Sequence, residues 1–141
     1  SGQSLQSIQA SEMLEVFSIN TVAPIRVVQT LLPRLKHSGA IIANMSSKMA
    51  SVSDNNSGGN YAYRASKSAL CIVSKSMAMD LQKHTIDVLC LHPGWVQTDM
   101  TDHTGLLDIE TSVAGLSSVI DRAKDFPPGA FVAYDGAIIP Y

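Results

Sequence analysis

In the stretch YAYRASKSAL, Tyr63 and Lys67 stand four residues apart, so on a helix they share one face a single turn from each other. An ammonium beside a phenol favours the phenolate and draws a pKa of roughly 10 toward neutrality. A tyrosine tuned in this way can give a proton to a carbonyl oxygen or take one from an alcohol, which suits hydride transfer. A tyrosine four before a lysine is also common on solvated helix surfaces. The pair therefore gains meaning only from what surrounds it.

The neighbours are set by the elements that carry them. Ala40 to Met45 is a short apolar run with the β-branched pair Ile41-Ile42, too short for a helix. It predicts a strand covered on both faces, as in a parallel sheet. It ends in Ser46-Ser47, and in an open α/β sheet ligands gather at the carboxyl ends of strands. A second run, Ile86 to Leu91, predicts a strand that stops at His92-Pro93-Gly94 and leads into WVQTDM. A serine hydroxyl, the Tyr63-Lys67 pair and a Pro-Gly turn followed by Thr98 then converge on one crevice.

Helical spacing predicts a long helix from Ser11 to about Lys36, with one apolar row at Met13, Phe17, Ala23, Val27, Leu31 and Leu35 and a second at Leu14, Val28 and Leu32. Together they make a wide buried face. Pro24 removes an amide donor from the middle and kinks the helix one turn after Asn20. Another long helix starts near Tyr61, with an apolar row at Ala65, Ala69, Ile72, Val73, Met77 and Leu81. A third runs from Ile109 to Ala123 behind the N-cap Asp108. Ala130 to Ala133 is a third short strand, followed by an Asp135-Gly136 turn and an apolar tail. Helix and strand alternating three times is the pattern of βαβ units around a parallel sheet.

The 141 residues, 45% hydrophobic and 16% charged, suit one domain with a real core. A net charge of -2 offers no basic stripe for nucleic acid and no polybasic segment for a membrane. The N-terminal SGQSLQSIQA has neither the basic nor the apolar region of a secretory signal, and no run is long enough to span a bilayer, so a cytoplasmic protein is expected. Cys71 and Cys90 lie in apolar runs and read as free core thiols. His37, His84, His92 and His103 show no i, i+4 pairing and no cysteine or carboxylate at zinc spacing; each reads as a surface or loop residue, and no metal site is expected. No Ser-x-x-Lys and no Gly-x-Ser-x-Gly occurs, which leaves acyl transfer without support.

NMSS at a strand end, YRASK, HPGWVQTDM and the Asn20 helix in FSINTVAPIRVVQ occur in the order of the short-chain dehydrogenase/reductase family, whose carboxyl-terminal part this chain resembles from about residue 10 onward. SVSDNNSGGNYAYRASKSAL and GAFVAYDGAIIPY are most similar to the carbonyl-reductase-like branch. The resemblance implies that Ser47, rather than Ser46, polarises a substrate carbonyl while Tyr63 donates its proton. It implies that Lys67 tunes Tyr63 and binds the nicotinamide ribose, and that Asn20 holds a relay water. Pro93, Gly94 and Val96 would shape the nicotinamide pocket, and Thr98 would bind the carboxamide. Trp95 and Met100 read either as substrate-pocket or as core residues.

The nine glycines never occur as Gly-x-Gly, so the turn that seats a dinucleotide pyrophosphate on a helix N-terminus is absent. The expected fold is thus the carboxyl-terminal portion of a Rossmann-type doubly wound parallel sheet, about three strands and three helices, as one partial domain over residues 1–141 without the N-terminal βαβαβ half. NADP(H) or NAD(H) is the cofactor the family implies, weakly held by this chain alone. The expected substrate is a small carbonyl or alcohol. Without its neighbour the first strand presents an open edge, to be covered by homo-oligomerisation, strand exchange or a separately supplied N-terminal half. A non-enzymatic remnant serving as an assembly or binding module is the alternative.

Overall fold

Three short parallel strands, β1 (Ile41–Met45), β2 (Asp87–His92) and β3 (Phe131–Ala133), lie side by side in that order. In the computed structural model, which describes residues 4–36 and 38–141, Ile41 lies opposite Asp87, Met45 opposite Leu91, and Cys90 opposite Phe131. His37 falls outside the described residues. The helices are α1 (Ala10–Phe17), α2 (Ala23–Leu35), α3 (Tyr61–Leu81) and α4 (Ile109–Asp121). The expected α/β architecture, a partial Rossmann-type sheet, is the one observed.

Residues of β2 alternate between two covered faces, as the strand period requires. Val88 joins Ala78 and Leu81 of α3, with Val28, Leu32 and Leu35 of α2 packed against them. Leu89 and Leu91 point the other way, into a cluster with Val119 of α4 and Val132 of β3. The carboxyl tail folds back, with Ile139 N–H donating to Phe131 O at 2.8 Å and the Tyr141 ring stacked 6.4 Å from that of Phe131.

The predicted first helix is one continuous helical run interrupted by a π-turn at Ser18–Val22, where Ala23 N–H reaches back five residues to Ser18 O. The irregularity lies before Pro24 and includes Asn20. Pro24 has no amide hydrogen, so the Asn20 carbonyl four residues earlier has no α-helical donor, and an inserted residue re-routes the ladder. α3 starts sharply because Gly58, Gly59 and Asn60 all adopt left-handed backbone, which glycine takes without cost. α4 carries the predicted cap: Asp108 Oδ1 accepts from Thr111 N–H at 2.6 Å.

Three apolar surfaces differ from expectation. β1 is covered on one face only: Asn44 is buried against α3, while Ile41 and Met45 are 38% and 45% exposed. The strand has β2 on one side, and its other edge is open. No residue of α1 or α2 is fully buried, and Leu14, Val27 and Leu31 are exposed, because only one stripe of that helix meets the sheet. On α3 the buried face is Ala62, Ser66, Leu70, Cys71, Ser74, Ala78 and Leu81, rotated from the predicted row; Ile72 is exposed. Small residues face inward because the helix lies close to the strands, and Ser74 satisfies its hydroxyl by donating to Leu70 O at 2.7 Å.

Candidate active site

β1 ends where the chain must leave the sheet, and its last residues divide their work. Ser46 is buried: its N–H donates to Leu91 O at 2.7 Å, and its hydroxyl lies 3.3 Å from Lys67 O and 3.4 Å from Cys71 Sγ. Ser47 is half-buried, and its Oγ accepts from Met49 N–H at 3.2 Å, capping a single 3-10 turn, Lys48–Ala50. Because that bond uses an oxygen lone pair, the Ser47 hydroxyl proton remains available to a ligand. Packing therefore distinguishes the two serines: Ser46 is buried and Ser47 is the more accessible.

Tyr63 and Lys67 lie on the first turns of α3, both half-buried. Lys67 Nζ donates to Met45 O at 2.9 Å and lies 5.8 Å from the centre of the Tyr63 ring, within cation-π reach. The ammonium is thus tied to the end of β1 while it flanks the phenol. Burial pushes the Lys67 ammonium below its usual range, and the nearby thiols Cys90 and Cys71 act in the opposite direction.

Asn20 reaches the same place from the π-turn. Its side-chain amide donates to Ser66 Oγ at 3.0 Å, and Ser66 Oγ in turn donates to Tyr63 O at 2.8 Å. Thr21, buried beside it, donates to Ser66 O at 3.0 Å. Ser66 is fully buried and couples the π-turn to the turn of α3 that holds Tyr63 and Lys67. Sequence reading missed Ser66; its place between Tyr63 and Lys67 is the only signal it carries.

The end of β2 forms the adjoining wall. Gly94 adopts φ +89°, and a Cβ there would meet Leu107 Cδ2 at 2.9 Å and the Tyr134 ring at 3.1 Å. Ser112 Oγ donates to Pro93 O at 2.7 Å, fixing the turn to α4. Beyond it the loop closes on itself: Val96 bridges Leu107, Gln97 N–H donates to Leu107 O at 2.9 Å, and Thr101 Oγ1 donates to Val96 O at 2.6 Å. Thr98 opens a 3-10 turn, its N–H donating to Thr101 Oγ1 at 3.1 Å. Trp95 and Met100 are 52% and 85% exposed, which rules out core packing for both.

Two histidines differ from the sequence reading. His92 is half-buried, and its Nδ1 accepts from Lys48 N–H at 3.2 Å, linking the end of β2 to the Ser47 turn. Burial pushes its imidazole below the usual range; Lys48 adds to this, while Asp135 and Asp54 oppose it. His103 does have a carboxylate at helical spacing, since its Nε2 lies 3.0 Å from Asp99 Oδ1, but both side chains are exposed.

For a nicotinamide cofactor these residues fit one end. Lys67 has three N–H donors and spends one on Met45, leaving two for ribose hydroxyls. Pro93 to Thr98 leave β2, the strand next to β1, in a loop constrained by its own hydrogen bonds. Among the described residues no Gly-x-Gly turn leads into a helix as a pyrophosphate seat would require; the Gly58-Gly59 turn before α3 lacks that spacing.

A parallel sheet flanked by helices, with Lys67 bound to the end of β1 and Asn20 linked to α3 through Ser66, defines a partial Rossmann-type fold. The family model described as short chain dehydrogenase matches residues 1–106, and the chain belongs to that family. It is 39% identical over 139 residues to C-signal of Myxococcus xanthus, covering 97% of this chain and 83% of that protein. Among solved structures it matches the carbonyl reductase Sniffer of D. melanogaster with TM-score 0.94 and 36% identity. It also matches an NADPH-bound carbonyl reductase from chicken fatty liver with TM-score 0.90 and 30% identity. Both alignments cover 100% of this chain, which spans 62% and 59% of the respective solved chains.

Proposed function

We propose that the chain supplies the catalytic half of an NAD(P)(H)-dependent oxidoreductase that interconverts a small carbonyl compound and its alcohol. The observation that carries this reading is that Lys67 is bound to Met45 O at the end of β1 beside the Tyr63 ring, with Asn20 linked to the Tyr63 carbonyl through Ser66 and Ser47 capping the turn that follows the strand. The nicotinamide, when bound, supplies the hydride. Ser47 donates a hydrogen bond to the substrate carbonyl, and Tyr63 gives its phenolic proton to the same oxygen as negative charge develops there. Lys67 holds positive charge beside the phenol and offers its two remaining N–H donors to the ribose. Asn20, on a π-turn whose carbonyl lacks its α-helical donor, positions a water that returns a proton to the site.

The 30% identity to a carbonyl reductase described as NADPH bound supports NADP(H), and the exposure of Trp95 and Met100 supports a role for them in meeting a substrate. Because the chain holds only the nicotinamide-side residues, we infer that turnover requires a second nucleotide-binding half. We further infer that the open edge of β1 is covered in solution by additional polypeptide, from the same protein or a second copy. The open edge of β1, which a further strand could pair, supports a second reading, a binding or assembly module that keeps the site residues by descent.

Fluorescence titration with NADPH and consumption of NADPH in the presence of a reactive aldehyde or quinone separate the two readings. The oxidoreductase reading expects turnover once the missing half is supplied, with Tyr63→Phe lowering it by about 10²- to 10⁴-fold at unchanged NADPH affinity. Turnover equal in Tyr63→Phe and the natural chain, or none at all with the half supplied, would overturn it.

A further inference from the structure

Beneath the candidate site lies a pair of thiols that the proposed reaction does not use. Cys71, one turn beyond Lys67 on α3, and Cys90, on the central strand β2, are the chain's two cysteines. They are 1% and 0% exposed, and their sulfur atoms are 3.3 Å apart. Ser46 Oγ lies 3.4 Å from Cys71 Sγ, and the cluster around the thiols includes Ala50, Phe131, Ala133 and Ile139. Two buried thiols need no such contact to pack well, and each could have faced apolar neighbours alone. Here a helix and a strand 19 residues apart in sequence are joined through sulfur.

We propose that Cys71 and Cys90 form a reversible dithiol/disulfide site that cross-links α3 to β2 directly under Lys67 when a hydroperoxide reaches it. The inference does not depend on the proposed reaction. A disulfide needs sulfur atoms about 2.05 Å apart, so closure brings these two sulfur atoms together by only about 1 Å. The two thiols are not equivalent. The hydrogen bond with Cys90 holds the Cys71 thiol below its usual range, with Ser46 and Lys67 acting the same way against burial. The same pairing, together with burial, pushes Cys90 up. The Ser46 hydroxyl 3.4 Å from Cys71 Sγ can donate to a thiolate there, which makes Cys71 the attacking sulfur.

Its thiolate attacks the outer peroxide oxygen; the O–O bond breaks, an alcohol or water leaves, and Cys71 becomes a sulfenic acid. Cys90 then attacks that sulfur, forming the S–S bond and releasing water. Two thiols are oxidised by two electrons and one peroxide is reduced.

The test treats the full chain with hydrogen peroxide, quenches, denatures, and alkylates free thiols with N-ethylmaleimide. Intact mass then counts adducts, and tryptic mapping without reductant looks for a peptide pair linked through Cys71 and Cys90. The expected result is two adducts before oxidation, none after, a linked Cys71/Cys90 peptide pair from monomeric chain on a non-reducing gel, and recovery of both adducts with dithiothreitol. Retention of both adducts, loss that dithiothreitol does not reverse, or a disulfide joining two chains would each overturn the proposal. Cys90→Ala serves as the control: it must yield no linked pair within one chain.

Discussion

At the scale of single residues, two adjacent serines differ in burial, and the proposed reaction gives them different work. Ser46 is buried between Lys67 O and Cys71, so Ser46→Ala should cost about 1 kcal/mol of stability, read from urea unfolding, and leave turnover nearly unchanged. Ser47→Ala should do the reverse, lowering kcat by about 10²-fold through loss of a donor to the developing oxyanion. His92 carries a pH dependence. Unfolded, it takes a proton near its ordinary value of roughly 6.5; folded, burial holds it neutral to lower pH. Between those two values the unfolded chain binds more protons, so the stability contribution is complete above the ordinary value and falls as the solution is acidified through it. Protonation would also turn the Nδ1 acceptor into a donor and break its bond to Lys48 N–H. Melting temperature followed between about pH 5 and 7.5 should therefore fall more steeply on the acid side in the natural chain than in His92→Asn, whose amide oxygen can still accept.

At the scale of elements, the site depends on two irregular segments. The π-turn Ser18–Val22 rotates Asn20 onto Ser66, and its cause is a proline four residues on. The loop after β2 is held by close backbone approach at Gly105. A Cβ there would lie 2.3 Å from Val96 C and 2.5 Å from Gln97 N, and backbone cannot yield as a flexible side chain does. Gly105→Ala should destabilise the chain by about 1–3 kcal/mol, as overpacking does, and open the Val96–Leu107 bridge. A drop in denaturant midpoint, with faster hydrogen exchange at Gln97 and Leu107, checks it.

At the scale of the whole molecule, the energetic problem is the uncovered side of the sheet. β1 leaves one row of backbone donors and acceptors unpaired by any strand, and Ile41, Met45, Leu14, Val27 and Leu31 remain exposed on the strand and helices of that half. Unpaired edges recruit partners. Multi-angle light scattering at micromolar concentration should accordingly give a mass above 15.1 kDa, and dilution should lower the melting temperature. A cooperative monomer whose melting does not change with concentration would show that β1 tolerates its open edge.

The amino-acid sequence by itself determined the order of strands and helices, the cap at Asp108, and a phenol and an ammonium on one helical face, because period, turn chemistry and capping are local properties. It also singled out Ser47 through resemblance. What only the tertiary structure decided is non-local. Which face of α3 is buried depends on how closely the helix lies over β1 and β2, a distance that small residues permit and no hydrophobic row announces. The tether of Asn20 through Ser66 spans 46 residues in sequence. The same holds for His92, which read as a surface or loop residue until β2 brought it to the Ser47 turn. Two cysteines 19 residues apart read as separate core thiols, and only the packing of helix on strand brought their sulfur atoms into contact.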